Sequence, residues 1–299
     1  MHSFDITILT DSLHLGKLQR TPHIEDIMEE DRLVQSALEK RGLRVNRINW
    51  DHPEVDWSDC RYLMFRSTWD YFNRFPEFDR WLKSVKNQTA MINPYDMVRW
   101  NLDKHYLLEL AEKGIPIPPT RFIEQGNLRS LKDLLAESGW KEIILKPVVS
   151  GAARHTYRIS AEKCDQYEEV FRKLLAEEPM MIQEFQQQVL EKGEVSFVVI
   201  GGTFTHAILK KAKRGDFRVQ DDFGGKLHPY QASEKEIAFA EAVVSRCRQQ
   251  PLFARVDAIW DNHNQLVISE LELIEPELWF RFNPEAAELL ADTFISYDQ

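Results

Sequence analysis

Two short segments near the C-terminus, Ala254-Arg255-Val256-Asp257 and Ser269-Glu270-Leu271-Glu272, carry charges at alternate positions on either side of the polar turn Asp261-Asn262-His263-Asn264. Residues two apart on a strand share a face, so Arg255 and Asp257 point one way while Val256, Ala258 and Trp260 point the other. Glu270 and Glu272 share a face in the same manner. A hairpin centred between His263 and Asn264 would set Asp257 opposite Glu270 and Arg255 opposite Glu272, bringing three carboxylates onto one face. Like charges held directly opposite one another destabilise a sheet and raise each other's pKa unless a cation intervenes. A bound cation is the simplest remedy. The candidate ligands are all oxygen, and no His or Cys stands at matching spacing, which suits Mg²⁺ or Mn²⁺ better than zinc. A solvated hairpin face on which Arg255 pairs an acid would carry the same alternation.

Other segments have residues suited to a nucleotide. Ile143-Ile144-Leu145-Lys146-Pro147 ends an apolar strand in a lysine, followed by the small-residue loop Val148 to Ala153 with Ser150 and Gly151. Small residues allow backbone to approach phosphate oxygens closely, although this is not a Walker loop. Lys104 lies near a helix start, where a cation opposes the helix dipole unless an anion lies between them; a solvated surface lysine is the other reading. Met180 to Phe185 is an apolar strand turning polar at Gln183 and Glu184, whose backbone could meet an adenine edge while Phe185 packs near the ring. Glu194, opening the next strand after Gly193, could accept hydrogen bonds from ribose hydroxyls or be an ordinary strand-start acid. Between His206 and Gln220 stand Lys210, Lys211, Lys213, Arg214 and Arg218, with Gly215, Gly224 and Gly225 close by. Cations and hinges in one segment suit a loop that closes over phosphates, though a charge run is also the mark of a solvated face.

These residues need elements to position them. Strands at Phe4–Thr10, Leu43–Trp50, Tyr62–Arg66 and Ala90–Asn93, with a helix at Asp26–Lys40, predict a parallel sheet with helices on its faces over residues 1–95. Ligands of such sheets sit beyond the carboxyl ends of strands, which makes Arg66, Ser67 and Asp70 candidates for substrate contact; a capped turn with surface aromatics is the alternative. Asn93-Pro94 closes this unit. A helix at Leu102–Glu112 and the proline-rich join Ile115 to Pro119 open a central α+β unit over 96–180, with strands near Arg121–Ile123, Ile143–Lys146 and Thr156–Ile159 and helices near Leu128–Glu137 and Cys164–Ala176. Residues 181–299 read mostly as strands, Val195–Ile200, Thr203–Leu209, Ala254–Trp260 and Leu266–Glu272, with a helix at Glu234–Cys247. The fold class is therefore mixed, α/β followed by α+β.

Composition narrows the function. With 43% hydrophobic residues, 17 Phe and 8 Trp among 299 residues, the chain can fill two or three cores. A net charge of −10 argues against general nucleic-acid or membrane-surface binding, both of which rest on a basic face. No apolar run approaches the roughly 18 residues of a membrane span, and the N-terminus lacks the pattern of a signal peptide. The expected location is cytoplasmic, with Cys60, Cys164 and Cys247 as reduced thiols. Self-association is left open.

In order, Lys104, Lys146-Pro147, Gln183-Glu184-Phe185, Gly193-Glu194-Val195-Ser196, Lys210-Lys211, Gly215 to Gln220, Arg255-Val256-Asp257 and Glu270-Leu271-Glu272 resemble the ATP-grasp ligases, in the branch of glutathione synthetases and ribosomal-protein glutamate ligases. Phe65 to Tyr71 and Leu271 to Pro276 further resemble the cyclo-ligases that close O-ureido-serine in cycloserine biosynthesis. The resemblance implies an ATP-grasp fold and an ATP-dependent C–N ligase that passes through an acyl phosphate on an amino acid-like substrate. Intramolecular cyclisation, or nucleotide binding by a regulatory protein without catalysis, are the alternatives. It also implies roles: Lys104 and Lys146 on the α- and β-phosphates, with Ser150 and Gly151 in the adjoining loop; Gln183 and the Glu184–Phe185 backbone at the adenine; Glu194 on the ribose; and Lys210 or Lys211 on the nucleotide. Asp257, Glu270 and Glu272 would bind two Mg²⁺, while Arg255 and Arg218 stabilise transferring charge. This chain departs from the pattern at Glu272, where most relatives carry Asn, and in the glycine-poor loop Val149 to Ala153.

Overall fold

The chain opens with β1 (Phe4–Thr10), α1 (Pro22–Glu39), β2 (Val45–Asn49), β3 (Cys60–Ser67), α2 (Phe75–Val85) and β4 (Ala90–Ile92). The computed structural model describes residues 2–15, 21–213, 215–219 and 224–298; Arg214 and Gln220 of the basic segment lie outside the described residues. The four strands form a parallel sheet in the order β2-β1-β3-β4. Its central strands are apolar because both faces are covered. Thr21 caps α1 by accepting from the Ile24 amide, with Pro22 in the first turn, where a missing N–H costs nothing.

A short helix, α3 (Tyr95–Asn101), comes first, and the helix expected over Leu102–Glu112 starts later, as α4 (Tyr106–Glu112). Asp103 makes the break, its carboxylate accepting the His105 amide at 2.9 Å. The break seats Lys104, whose own amide donates to Val148 O at 3.2 Å. Next come β5 (Thr120–Ile123), α5 (Leu131–Ser138), β6 (Glu142–Pro147), β7 (Tyr157–Ser160), α6 (Glu168–Glu177) and β8 (Met180–Glu184). They build an antiparallel sheet in the order β5-β8-β6-β7 over a core of Ile143, Leu145, Phe171 and Ile182. Because β8 pairs with both β5 and β6, this sheet extends to Glu184.

After the short α7 (Gln188–Lys192) come β9 (Glu194–Ile200), β10 (Thr203–Lys211), β11 (Lys226–Tyr230), α8 (Glu234–Ser245), β12 (Phe253–Trp260), β13 (Leu266–Glu272) and α9 (Glu285–Tyr297). The five strands form an antiparallel sheet in the order β11-β10-β9-β12-β13. One face packs on α8 through Phe197, Val243 and Val256. On the other side, Val198, Ile200 and Phe253 share a core with Ile6, Val34, Met64 and Phe294, so the first and last segments of the chain are packed together. Arg41 ties α1 to α9 through Glu288 and Asp292, at 2.7 Å each.

Candidate active site

The hairpin has the register expected from its turn, with Arg255 opposite Glu272 and Asp257 opposite Glu270. A bulge between Asp257 and Ala258 then shifts the pairing. As the edge strand, β13 needs other partners for its backbone. The Tyr106 hydroxyl accepts the Leu271 amide at 2.9 Å, and Asn101 both donates to Leu271 O and accepts the Leu273 amide at 2.8 Å. The break between α3 and α4 thus braces the acidic strand.

The three acids share a face, but each is turned to a protein cation. Arg255 grips Asp257 with Nε (3.0 Å) and Nη2 (2.9 Å), also pairs Glu272, and donates Nη1 to Glu277 O at 3.2 Å. Lys210 lies 3.2 Å from Asp257 and 2.5 Å from Glu194, whose second oxygen accepts from Ser269 at 2.8 Å. Lys104 joins Glu270 at 3.0 Å to Ser150 O at 2.6 Å. Among the described residues no three His, Cys, Asp or Glu side chains stand close enough together to enclose a metal ion. The expected meeting of three carboxylates is therefore a row of ion pairs.

The acids differ in how well these cations satisfy them. Burial pushes Asp257 up, but Arg255 and Lys210 overcome it and hold the carboxyl at about 2. At Glu272 burial, reinforced by Asp257, Glu270 and Glu275, outweighs Arg255, and the carboxyl is pushed up to about 8. This edge of the site carries more acid than its cations balance. Lys146, facing Met181 across β6 and β8, shows the opposite deficit: burial and then Lys104 push its ammonium down, against Glu270 and Glu194. Among the described residues its ammonium has no hydrogen-bond or ion-pair partner.

Gly193 fixes the geometry at Glu194. Its φ is +85° and a Cβ there would come within 2.3 Å of Lys210 O, so only glycine lets β9 start this close to β10. Lys210 is buried in the site whereas Lys211, on the opposite face, is exposed, which selects Lys210 from the pair.

Four sets of expected site residues already have protein contacts. At Gly151 the Phe72 ring occupies the space a Cβ would take (2.6 Å), a reason for glycine within the protein itself; the loop's unusual conformation falls on Ala152, Ala153 and His155, at φ +46°, +55° and +50°. The Glu184 and Phe185 amides donate to Pro119 O and Glu142 O, both at 2.9 Å, and Gln183 donates to Thr120. The carbonyls are engaged as well, Glu184 O accepting from Gln186 Nε2 at 2.9 Å and Phe185 O from Asn262 Nδ2 at 3.1 Å, so only their second lone pairs are open to an adenine amino group. Arg218 holds Asp216 through Nε (3.1 Å) and Nη2 (2.7 Å). Arg66, Ser67 and Asp70 serve internal contacts: Arg66 pairs Glu30, Ser67 donates to Thr10 and Asp31, and Asp70 accepts from Trp50 and Arg74. Apart from Arg74, four residues beyond Asp70, these partners are distant in sequence, beyond the reach of local pattern.

Other residues enter the site without a sequence signal. The Arg158 guanidinium lies 3.9 Å from the centroid of the Phe185 ring, and Phe217 meets that ring edge-on at 6.1 Å. Tyr71 bonds the Glu275 carboxyl, and burial pushes that carboxyl up to about 7.

Residues 113–270, more than half of the chain, match the family model described as "Prokaryotic glutathione synthetase, ATP-grasp domain". The chain belongs to the ATP-grasp ligases. The ligase also matches, over residues 6–93, the model for "D-cycloserine synthetase DcsG, N-terminal domain". It is 28% identical to the cycloserine biosynthesis protein DcsG of Streptomyces lavendulae over 82% of this chain and 86% of that protein. It is 29% identical to a probable alpha-L-glutamate ligase of Legionella pneumophila over 56% of this chain and about half (53%) of that protein. The crystal structure of D-cycloserine synthetase DcsG superposes with a TM-score of 0.87 at 25% identity, covering 98% of this chain and 99% of that one. The macrocyclase MdnC from Microcystis aeruginosa MRC shares the fold alone, with a TM-score of 0.66 at 15% identity over 98% of this chain and 99% of that one. The ligase is an ATP-dependent enzyme that joins carboxylate to nitrogen and forms ADP. Among the described residues no helix is long and apolar enough to cross a membrane.

For this ligase the unpartnered ammonium of Lys146 gives a direct expectation. Lys146→Ala should weaken ATP binding by roughly 10- to 100-fold, the worth of a charge-assisted contact. Its melting temperature should not fall, since the substitution removes a half-buried charge with no protein partner. Calorimetric titration with ATP beside thermal melts checks both, and unchanged affinity would leave Lys146 no role at the phosphates.

Proposed function

We propose that this ligase activates the carboxylate of an amino acid-like small molecule as an acyl phosphate, which a nitrogen nucleophile then captures. The carboxylate oxygen attacks the γ-phosphorus and ADP leaves. Nitrogen then attacks the carbonyl carbon, phosphate leaves, and the nitrogen loses a proton. Catalysis on this reading is positioning and charge neutralisation, with no protein nucleophile. The observation that carries it is the ion-paired face of β9, β10, β12 and β13, where Arg255 and Lys210 converge on Asp257.

That face also bears on the cofactors. The cations Lys104, Lys146, Lys210 and Arg255 match the acids Glu194, Asp257, Glu270 and Glu272 in number. With Glu272 pushed up to about 8, the roughly four negative charges of ATP would meet at most about one net positive charge, and two divalent cations supply the rest. An all-oxygen donor set with surplus acid at Glu272 fits Mg²⁺ or Mn²⁺. Asp257, Glu270 and Glu272 would divide between the two metal ions and not enclose one together, and the metals when bound would neutralise charge developing on the phosphates. Lys104 and Lys146 hold the nucleotide phosphates, Glu194 the ribose, and the Glu184 and Phe185 carbonyls the adenine amino group. Arg255 stabilises the charge that develops during transfer. A cytoplasmic setting suits the unpaired Cys60, Cys164 and Cys247.

Intramolecular closure of an O-ureido-serine-type substrate is the second reading. It is favoured by the likeness, extending over nearly the whole chain, to a cycloserine biosynthesis protein and a D-cycloserine synthetase. Oxygen labelling tests the chemistry common to both readings. With ¹⁸O in the substrate carboxylate, an acyl phosphate must pass one labelled oxygen to the released phosphate; product without label in phosphate would rule the intermediate out. Product formed with no added amine would mark cyclisation.

A further inference from the structure

Trp279 is 2% exposed and sits at φ +50°, a left-handed backbone that a bulky residue rarely adopts without being held there. What holds it comes from the other end of the chain. Glu30 on α1, also 2% exposed, accepts the Leu278 amide at 2.8 Å through one carboxylate oxygen and the Phe280 amide at 3.2 Å through the other. The two amides flanking Trp279 are thus clamped by one side chain. His206 Nε2 meets the Leu278 carbonyl from the opposite side at 2.8 Å. Glu30 is itself fixed by Arg66, whose guanidinium lies over the rings of Phe253 (5.6 Å) and Phe280 (5.9 Å).

The clamped segment borders the candidate site. Arg255 lies 5.0 Å and Lys210 5.8 Å from the Trp279 ring centroid, while the Glu277 carbonyl accepts from Arg255 at 3.2 Å. Both cations on Asp257 therefore rest on residues 277–280, and these residues rest on Glu30. Offset from this geometry is costly, because a misplacement of about 1 Å remote from the chemistry can cost on the order of 100-fold in rate.

We propose that Glu30 is a positioning residue for the ligase reaction: it clamps the amides of Leu278 and Phe280 so that Trp279 and the Glu277 carbonyl hold Arg255 and Lys210 against Asp257. The inference rests on Arg255 acting in catalysis. It gives Arg66 a role too, as the counter-charge that keeps Glu30 in place.

Glu30→Gln keeps the size of the side chain but turns an NH₂ toward one of the two amides. Glu30→Asp keeps the charge opposite Arg66, and with it the fold, while drawing the oxygens back by one methylene. Each variant should lower kcat about 10- to 100-fold with the KM for ATP little changed, since the phosphate-binding lysines are untouched. A purely structural role predicts a lower melting temperature without this split. Coupling to Trp279 supplies the second readout: if Glu30 acts through Trp279, Glu30→Asp combined with Trp279→Phe is no slower than the slower single variant. Unchanged kcat in Glu30→Asp, or losses that multiply in the double variant, would overturn the clamp. Near-normal kcat in Arg255→Lys would instead overturn the reading of Arg255 on which it rests.

Discussion

Asp257→Asn is expected to lower turnover by on the order of 100-fold or more at saturating ATP and Mg²⁺, the scale of losing one preorganised electrostatic group. Asp257 is where the site's charges converge, since it is gripped by Arg255, approached by Lys210 and hydrogen-bonded by Ser196. An amide keeps the shape and one acceptor oxygen but no negative charge, so it leaves two buried cations short of a partner and takes a ligand from the metal. The melting temperature should therefore fall as well, because removing one partner of a buried pair exposes the desolvation cost of the other. Glu270→Gln separates the two effects. Its main cationic partner is Lys104, which also donates to Ser150 O, and its carboxylate is more exposed. Turnover should drop on the same scale with a smaller loss of thermal stability. Steady-state ADP release across a Mg²⁺ titration, with melts alongside, is the measurement, and near-normal turnover of both variants at high Mg²⁺ would remove these acids from the metal site.

How much of this was legible depended on whether the signal was local. The hairpin register could be read because the polar turn sets the mid-point and the period of two does the rest, and Lys146 could be placed because it ends an apolar run just before a proline. The bulge after Asp257 left no mark in the pattern. The helix Tyr95–Asn101 carries no separate signal in the sequence, and the start of the next one falls at Tyr106 and not at Leu102, because the Asp103 side chain accepts the His105 amide and breaks the helix there. The loop after β3 is hard to read for a different reason. Arg66, Ser67 and Asp70 have the chemistry of a binding site, but Glu30, Asp31 and Trp50, which take up part of that chemistry, come from α1 and the residue after β2. A sequence displays which groups can bond and leaves the tertiary fold to decide which bonds are already made. Gly151 makes the same point, since its missing Cβ answers to Phe72 from another unit.

Arg255→Lys should be far from conservative, lowering kcat by roughly 100- to 1,000-fold while changing the KM for ATP only slightly. The guanidinium plane is used along its whole edge: Nε and Nη2 on Asp257, Nη2 also on Glu272, and Nη1 on the Glu277 carbonyl, with its face toward the Trp279 ring. An ammonium can keep the charge but cannot meet these acceptors in one plane or stack on the indole. Because the charge survives, Asp257 stays compensated and the protein should remain folded. Arg255→Met removes the charge as well. Glu272, already pushed up to about 8 beside Arg255, would lose the cation that holds it down and rise further, and Asp257 would keep Lys210 as its remaining cation. That variant should be both inactive and markedly less stable, by about 3–5 kcal/mol for a broken buried pair. The pair of variants thus separates geometry from charge: a lysine variant within a few-fold of wild-type kcat would mean that charge alone suffices at this position, and the fork that joins Asp257, Glu272 and the Glu277 carbonyl would have no part in catalysis.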